Sequence, residues 1–321
     1  MQTFSSSDPL TVGRPAFFAN TLFLIAVMVL YPITGFLLFS LVSGGSQMGF
    51  SLLHIEESML TSIRLIQAVG QILVLALPVL LLAAWHTGRK NPFSPQSLAF
   101  LGIQRRVDFG MAALAVGGIF LLQPLLYTIT ALQDHYLWPA LGSAGAEVVH
   151  QRDLMESFIK ELGQIRSVQE FFSVALVLAF TPAVCEELLF RGYVQQNYTR
   201  TMSSGAAVLL TGLIFAFFHM SAANLLPLAL LGWYIGYIYA RVGNLVIPFV
   251  VHLANNLAAL LFLFFTEGRS SEEAFGSEHI LRLPWWWIVV AGSFFLFVMV
   301  LRRFAVLPFL KEDVLKGVAS H

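Results

Sequence analysis

Charge is the scarcest commodity in this sequence. Only 11% of its 321 residues are charged and 57% are hydrophobic, with a mean hydropathy of +0.77. Soluble domains carry roughly 25% charged residues, so the composition excludes one and describes an integral membrane protein. Lys plus Arg (18) equals Asp plus Glu (18). That balance argues against a polyanion, and so against nucleic acid, as the main partner; membrane lipid is the expected surrounding. Cys185 is the only cysteine, which excludes an intramolecular disulfide and any thiolate metal centre not completed by other residue types. Its default reading is a small buried apolar residue. No HExxH pair, soluble domain, low-complexity tract or internal repeat is present. Arg14 is the only cation ahead of the first apolar run and no small-residue cleavage site follows, so the expectation is an uncleaved first span.

Long apolar runs are abundant. A bilayer core needs about 20 apolar helical residues, and runs of that kind fall at 17–42, 63–86, 108–132, 170–194, 205–223, 225–241, 244–266 and 284–304. The fold class is therefore all-α and polytopic, with about eight transmembrane helices. Alternate connections share a charge character, which tests the count. One set holds Arg14, Arg89, Lys90, Arg105, Arg106, Arg191, Arg200, Arg241, Arg302, Arg303, Lys311 and Lys316. The other holds Glu56, Glu57, Asp134, Glu147, Asp153, Glu156, Glu161, Glu170, Glu267, Glu272, Glu273 and Glu278. The positive-inside rule then places both termini in the cytoplasm, and the setting expected is a bacterial plasma membrane.

Three further patterns refine this map. In 151–169, Leu154, Phe158, Leu162 and Ile165 recur at helical spacing among charges, which predicts an amphipathic helix at the outer interface. Trp285–Trp287 fit an aromatic belt, and Gly232 and Gly236, four apart, suit close helix packing. The chain divides into 1–169 (three spans plus the amphipathic helix), 170–266 (a functional core) and 267–321 (the last span and a tail).

The core earns its name from polar residues, which concentrate in 181–256. A carboxylate facing lipid costs roughly 2.5–3.5 kcal/mol on insertion scales, yet TPAVCEELLFRGY (Thr181–Tyr193) carries Glu186 and Glu187 side by side. Glu187 and Arg191 are i,i+4 with the acid first, the favourable order for an ion pair. Glu186 is rotated about 100° away and has no such partner. His219 follows Phe215 by four residues, so an aromatic wall is expected beside the imidazole. His252 and Asn256 share a face, and Asn255 is a candidate for interhelical hydrogen bonding. Pro182 and Pro248 each precede a polar residue by four, and kinks there are expected to open a cavity.

Several chemistries suit this set. Glu186 can serve as general base on a water, helped by His219, with His252 and Asn256 donating to the oxyanion of an attacked peptide carbonyl. No serine or threonine stands out as a nucleophile. Glu186, His219 and His252 are equally a candidate ligand set for a divalent metal such as zinc, and spacing does not choose between the two. Proton-coupled transport is the alternative from another class, since transporters also place Glu and His at mid-membrane. One geometric difficulty arises: by these boundaries Glu186 lies about 12 Å and His219 about 21 Å from the cytoplasmic ends of their spans.

EELLFR (Glu186–Arg191), FAFFH (Phe215–His219) and HLANN (His252–Asn256) resemble, in order, the EExxxR, FxxxH and HxxxN motifs of the CAAX-protease and bacteriocin-processing (CPBP, or Abi) family of intramembrane endopeptidases. The resemblance covers about 170–262. It implies cleavage of a membrane-associated, CAAX-like peptide or protein substrate near the cytoplasmic side. By position, Glu186 would activate water with His219 assisting, His252 and Asn256 would form the oxyanion hole, and Glu187, Arg191 and Phe215 would support them. Members have been described both as metalloproteases and as metal-independent glutamate proteases, so the cofactor question stays open, as does oligomeric state.

Overall fold

A computed structural model describes residues 14–42, 57–165, 167–265 and 280–307. Every regular element among the described residues is helical, as lipid demands, because open strand edges there find no water for their N–H and C=O groups. In chain order these are α1 (Phe17–Val42), α2 (Met59–His86), a short α3 (Pro95–Phe100), α4 (Phe109–Ala140), α5 (Ser143–Leu162), α6 (Val168–Tyr198), α7 (Ser204–Phe218), α8 (Leu225–Val242), α9 (Val246–Phe265) and α10 (Pro284–Ala305). Seven of them, α1, α2, α4, α6, α8, α9 and α10, are long and apolar enough to cross a membrane.

The expected fifth span is where the count of eight changes. α7 has 15 residues, about 22 Å at 1.5 Å per residue, short of the roughly 30 Å of a bilayer core. It pairs with α8 as a hairpin, and glycine makes the approach possible. A Cβ on Gly212 would lie 2.2 Å from Trp233, and one on Gly232 would lie 3.0 Å from the Gly212 backbone. The close-packing face anticipated at Gly232 and Gly236 is thus real. Because the hairpin returns to the end it left, the alternation of connections survives a helix too short to span.

The two ends of the bundle keep the charge sorting. At one end the Arg14 guanidinium hydrogen-bonds Asn197 (3.0 Å), Gln196 (2.6 Å) and the Phe100 carbonyl. There, too, Arg200 donates to the Arg14 carbonyl and Arg241 to that of Leu307. Burial pulls the Arg14 pKa down to about 10. The opposite end carries Asp134, paired with Arg152 at 2.5 Å, and Glu170. Arg191 is an exception to the sorting: counted with the loop cations, it instead lies in the bundle interior at 0% exposure. Glu56, Glu267, Glu272, Glu273, Glu278, Lys311 and Lys316 lie outside the described residues, as does the side chain of Glu57.

Proline shapes the long helices. Wider π turns at Ile72–Ala76, Gln133–Leu137 and Leu176–Phe180 each end two residues before Pro78, Pro139 or Pro182. Proline lacks the N–H that would bond the carbonyl four back and its ring crowds that carbonyl, so the preceding turn loosens to i→i−5 bonding. At Pro182 both the Thr181 N–H and its hydroxyl reach the Leu176 carbonyl, the latter at 2.7 Å. Pro248 differs from expectation. Asn244 Oδ1 accepts from the Val246 N–H (3.1 Å) and starts α9 there, which leaves Pro248 in the first turn, where a missing N–H disrupts nothing.

The amphipathic helix also shifts. α5 occupies 143–162 and stops at Gly163, not at 169, while Ser167 caps α6 by accepting from the Glu170 N–H. Arg64 of α2 fastens this junction. It donates to the Leu162 carbonyl (2.9 Å), the Gln164 carbonyl (2.8 Å) and Glu170 Oε1 (2.9 Å). A cation on the last carbonyls of a helix is doubly favourable, through the hydrogen bonds and the helix dipole. Arg64→Met is expected to lower stability by about 2 kcal/mol. Hydrogen exchange should show the loss first in α5; unchanged protection there would contradict this role.

Candidate active site

Glu187 is the anchor of the site. Its side chain is 1% exposed, and its Oε1 accepts from Arg191 Nη1 at 2.7 Å and from His252 Nδ1 at 2.8 Å. The ion pair expected from the i,i+4 spacing is therefore present, and the same oxygen also orients an imidazole from α9. Arg191 reaches across to α8, donating to the Gly232 carbonyl at 3.1 Å. One turn on, Gln195 donates to the Gly236 carbonyl at 2.9 Å. Glycine leaves these two carbonyls uncovered, so one pair of residues serves both packing and hydrogen bonding. The Phe215 ring lies 4.7 Å from the Arg191 guanidinium carbon, within cation–π range. It also lies 4.7 Å from the His219 ring and 5.9 Å from that of His252.

Glu186 faces the other way, into a cavity of about 450 Å³ whose wall also includes His219, His252, Asn256 and Pro182. Its Oε2 is buried and makes no hydrogen bond to protein; the nearest base, His252 Nε2, is 4.0 Å off. The 100° separation of the two glutamates thus divides them into a structural anchor and a cavity-facing carboxylate.

The histidine protons follow from their partners. His219 Nδ1 lies 2.8 Å from the Phe215 carbonyl, which can only accept, so Nδ1 carries the proton and Nε2 keeps its lone pair. His252 Nδ1 faces a carboxylate oxygen already bound to a guanidinium, so it too donates, and Nε2 points toward Glu186. Asn256 Nδ2 makes one long contact, 3.5 Å to the Ala179 carbonyl. Asn255 accepts from Gln123 of α4 at 3.0 Å, the interhelical role expected for it, and donates to Asn256 Oδ1 at 3.4 Å. Cys185 is buried and free.

The depth mismatch resolves through helix lengths. α6 continues to Tyr198, which puts Glu186 twelve residues, about 18 Å, from its end. His219 caps the C-terminus of the 15-residue α7, about 22 Å from its start. The short α7 is what brings the imidazole to the cavity that Glu186 lines.

The three residues considered as metal ligands, Glu186, His219 and His252, share the cavity wall. Among the described residues, however, no group of three or more His, Cys, Asp or Glu side chains is arranged to hold a metal ion. The donor geometry does not fit the zinc reading.

The wall also includes residues that no motif marks as part of a site. Tyr31, Gln67 and Gln71 contribute from α1 and α2, and Met155, Phe158 and Ile159 from α5. The two glutamines stand i,i+4 in α2, and an uncharged amide there carries no ionisable signal in the sequence. Met220 also lines the cavity and is the only non-glycine with positive φ (48°) among the described residues. Left-handed backbone is unfavourable for a side chain of this size, and no sequence pattern announces it.

Residues 168–258 match a family model described as Type II CAAX prenyl endopeptidase Rce1-like. No curated protein and no solved structure matches the chain. The matched stretch begins at the first residue of α6, ends within α9 and contains all seven motif residues, from Glu186 to Asn256. With three motifs in register around one cavity, residues 168–258 of this chain are similar to the Rce1-like family of type II CAAX prenyl endopeptidases.

Proposed function

We propose that the chain is an intramembrane endopeptidase in which Glu186 activates water for direct attack on a peptide carbonyl. The carrying observation is the division of the glutamate pair: Glu187 is spent on Arg191 and His252, while Glu186 Oε2 stands without a protein hydrogen bond on the cavity wall. The match to an Rce1-like family supports a CAAX-type membrane protease.

The steps follow from the side chains. Water between Glu186 and the lone pair of His219 Nε2 loses a proton to Glu186 as its oxygen bonds the carbonyl carbon. The resulting oxyanion is met by Asn256 Nδ2 and by His252 Nε2. Because His252 Nδ1 already donates to Glu187, donation from Nε2 requires the ring to hold both protons, a charge flanked by the two glutamates. Collapse of the tetrahedral intermediate breaks the C–N bond, and Glu186 returns its proton to the leaving amine. The acyl fragment departs as a carboxylic acid, so no covalent enzyme intermediate forms. Substrates in this reading are membrane-associated proteins or peptides of CAAX-like character, and the basic bundle end, with both termini, faces the cytoplasm.

Membranes containing the wild-type chain or Glu186→Gln should differ in accumulated uncleaved precursors, read by mass spectrometry of membrane proteins. Identical profiles would remove the protease reading, and a proton-driven flux through liposomes in their place would establish transport. Activity of the purified protein is expected to survive exhaustive chelation; its loss, with recovery on adding back zinc, would overturn the metal-independent scheme.

A further inference from the structure

The cavity extends well past the catalytic groups. From Glu186 it continues between α2 and α5, with Gln67 and Gln71 on one wall and Met155, Phe158 and Ile159 on another. Gln71 is 5% exposed. Its Oε1 is buried with no hydrogen-bond partner. Buried acceptors are almost always paired in folded proteins, and Gln71 belongs to the cavity wall, so its lone carbonyl points to a donor supplied from outside the chain.

The chemistry of the donor follows from the proposed reaction, on which this inference rests. A peptide bond inside a helix has its carbonyl hydrogen-bonded and its backbone shielded, so a segment to be cut must be extended. Inside an apolar bundle the N–H groups so released have no water to bond. Gln67 and Gln71 are one turn apart, a rise of about 6 Å, and alternate residues of an extended chain are about 6.6 Å apart. The two amides therefore match the backbone repeat of a strand, and the apolar α5 wall suits its side chains.

We infer that Gln71 is a substrate-positioning residue whose Oε1 accepts a backbone N–H of the extended peptide, with Gln67 engaging the chain two residues along. It sets which bond lies against Glu186 without touching the reacting atoms.

The test uses the full chain in lipid nanodiscs, carrying Glu186→Gln so that binding is read without cleavage. The probe is a fluorescent apolar octapeptide, too short for a stable helix, with a series in which one backbone amide at a time becomes an ester and loses its N–H. Gln71→Leu should weaken binding of the all-amide probe about tenfold. One ester should bind about tenfold more weakly to the Gln71 protein and lose nothing further on Gln71→Leu. If Gln71→Leu weakens every probe by the same factor, the residue is merely structural and the inference fails; it also fails if affinity is unchanged or if no probe binds. Cleavage of the all-amide probe by the chain with Glu186 intact checks the endopeptidase reading separately. Its absence alongside the ester pattern would retire that reading and leave the Gln71 contact standing.

Discussion

Glu186→Gln is expected to reduce peptide cleavage by about a thousandfold or more while leaving the fold in place. Loss of a positioned general base typically costs 10²–10⁴ in rate, and this site offers no serine or threonine to attack in its stead. The amide is nearly isosteric with the carboxylate, so the cavity keeps its shape. Glu186 belongs to no close ion pair, with His252 Nε2 4.0 Å away, so thermal stability should move by less than about 1 kcal/mol. The informative measurement pairs kcat on a cleaved peptide with the unfolding midpoint of the same preparation. A variant that unfolds early would show that Glu186 is a structural acid. One that is stable and still active would transfer the general base to His219 or His252.

The neighbouring pair should behave in the opposite way. Arg191 is fully buried and Glu187 is 1% exposed, so removing either partner strands a charge in the bundle. Such removals cost about 3–5 kcal/mol, a large fraction of the 5–15 kcal/mol that holds a typical domain together. Arg191→Met is therefore expected to collapse the yield of folded protein, measured as monodisperse material after detergent extraction. The double variant Glu187→Leu/Arg191→Met removes both charges and should recover much of that yield, because a well-packed apolar pair often matches a buried ion pair. It should remain inactive, since His252 Nδ1 loses the carboxylate that orients it. A singly substituted Arg191→Met protein that folds at wild-type yield would contradict this account. Recovery of activity in the double variant would show that His252 needs no anchor.

Together these variants separate two glutamates that are adjacent in the chain. The separation was readable early, because a helix turns 100° per residue and Arg191 stands four residues after Glu187. Asn255 is readable in the same way: next to Asn256 in the chain, it is the candidate for interhelical bonding and bonds Gln123. Gln67 and Gln71 follow the i,i+4 rule as clearly as Glu187 and Arg191, but an uncharged amide in an apolar run raises less alarm than a charge.

Helix boundaries were the weakest expectation, and the site geometry turned on them. Hydropathy marks where lipid-compatible residues occur, so it set α1 at 17–42 and brought α8 and α10 to within a residue. It does not sense where a backbone stops being helical. α6 runs to Tyr198 because its end is buried against Arg14 and Asn20, contacts made by residues distant in sequence. α7 stops at Phe218, short of the 223 expected from hydropathy, and Met220 then adopts left-handed backbone.

Composition and local periodicity were enough to establish an all-helical membrane protein, its sorted ends and the identity of the polar cluster, because those follow from the cost of charge in lipid and the 3.6-residue turn. Only the tertiary structure decided that His219 and Glu186 share one cavity wall, that one Glu187 oxygen serves both Arg191 and His252, and that Gln71, with an unpaired carbonyl, joins the same wall. Each of these depends on the relative depth and rotation of helices far apart in the chain, which packing between them sets and no local pattern encodes.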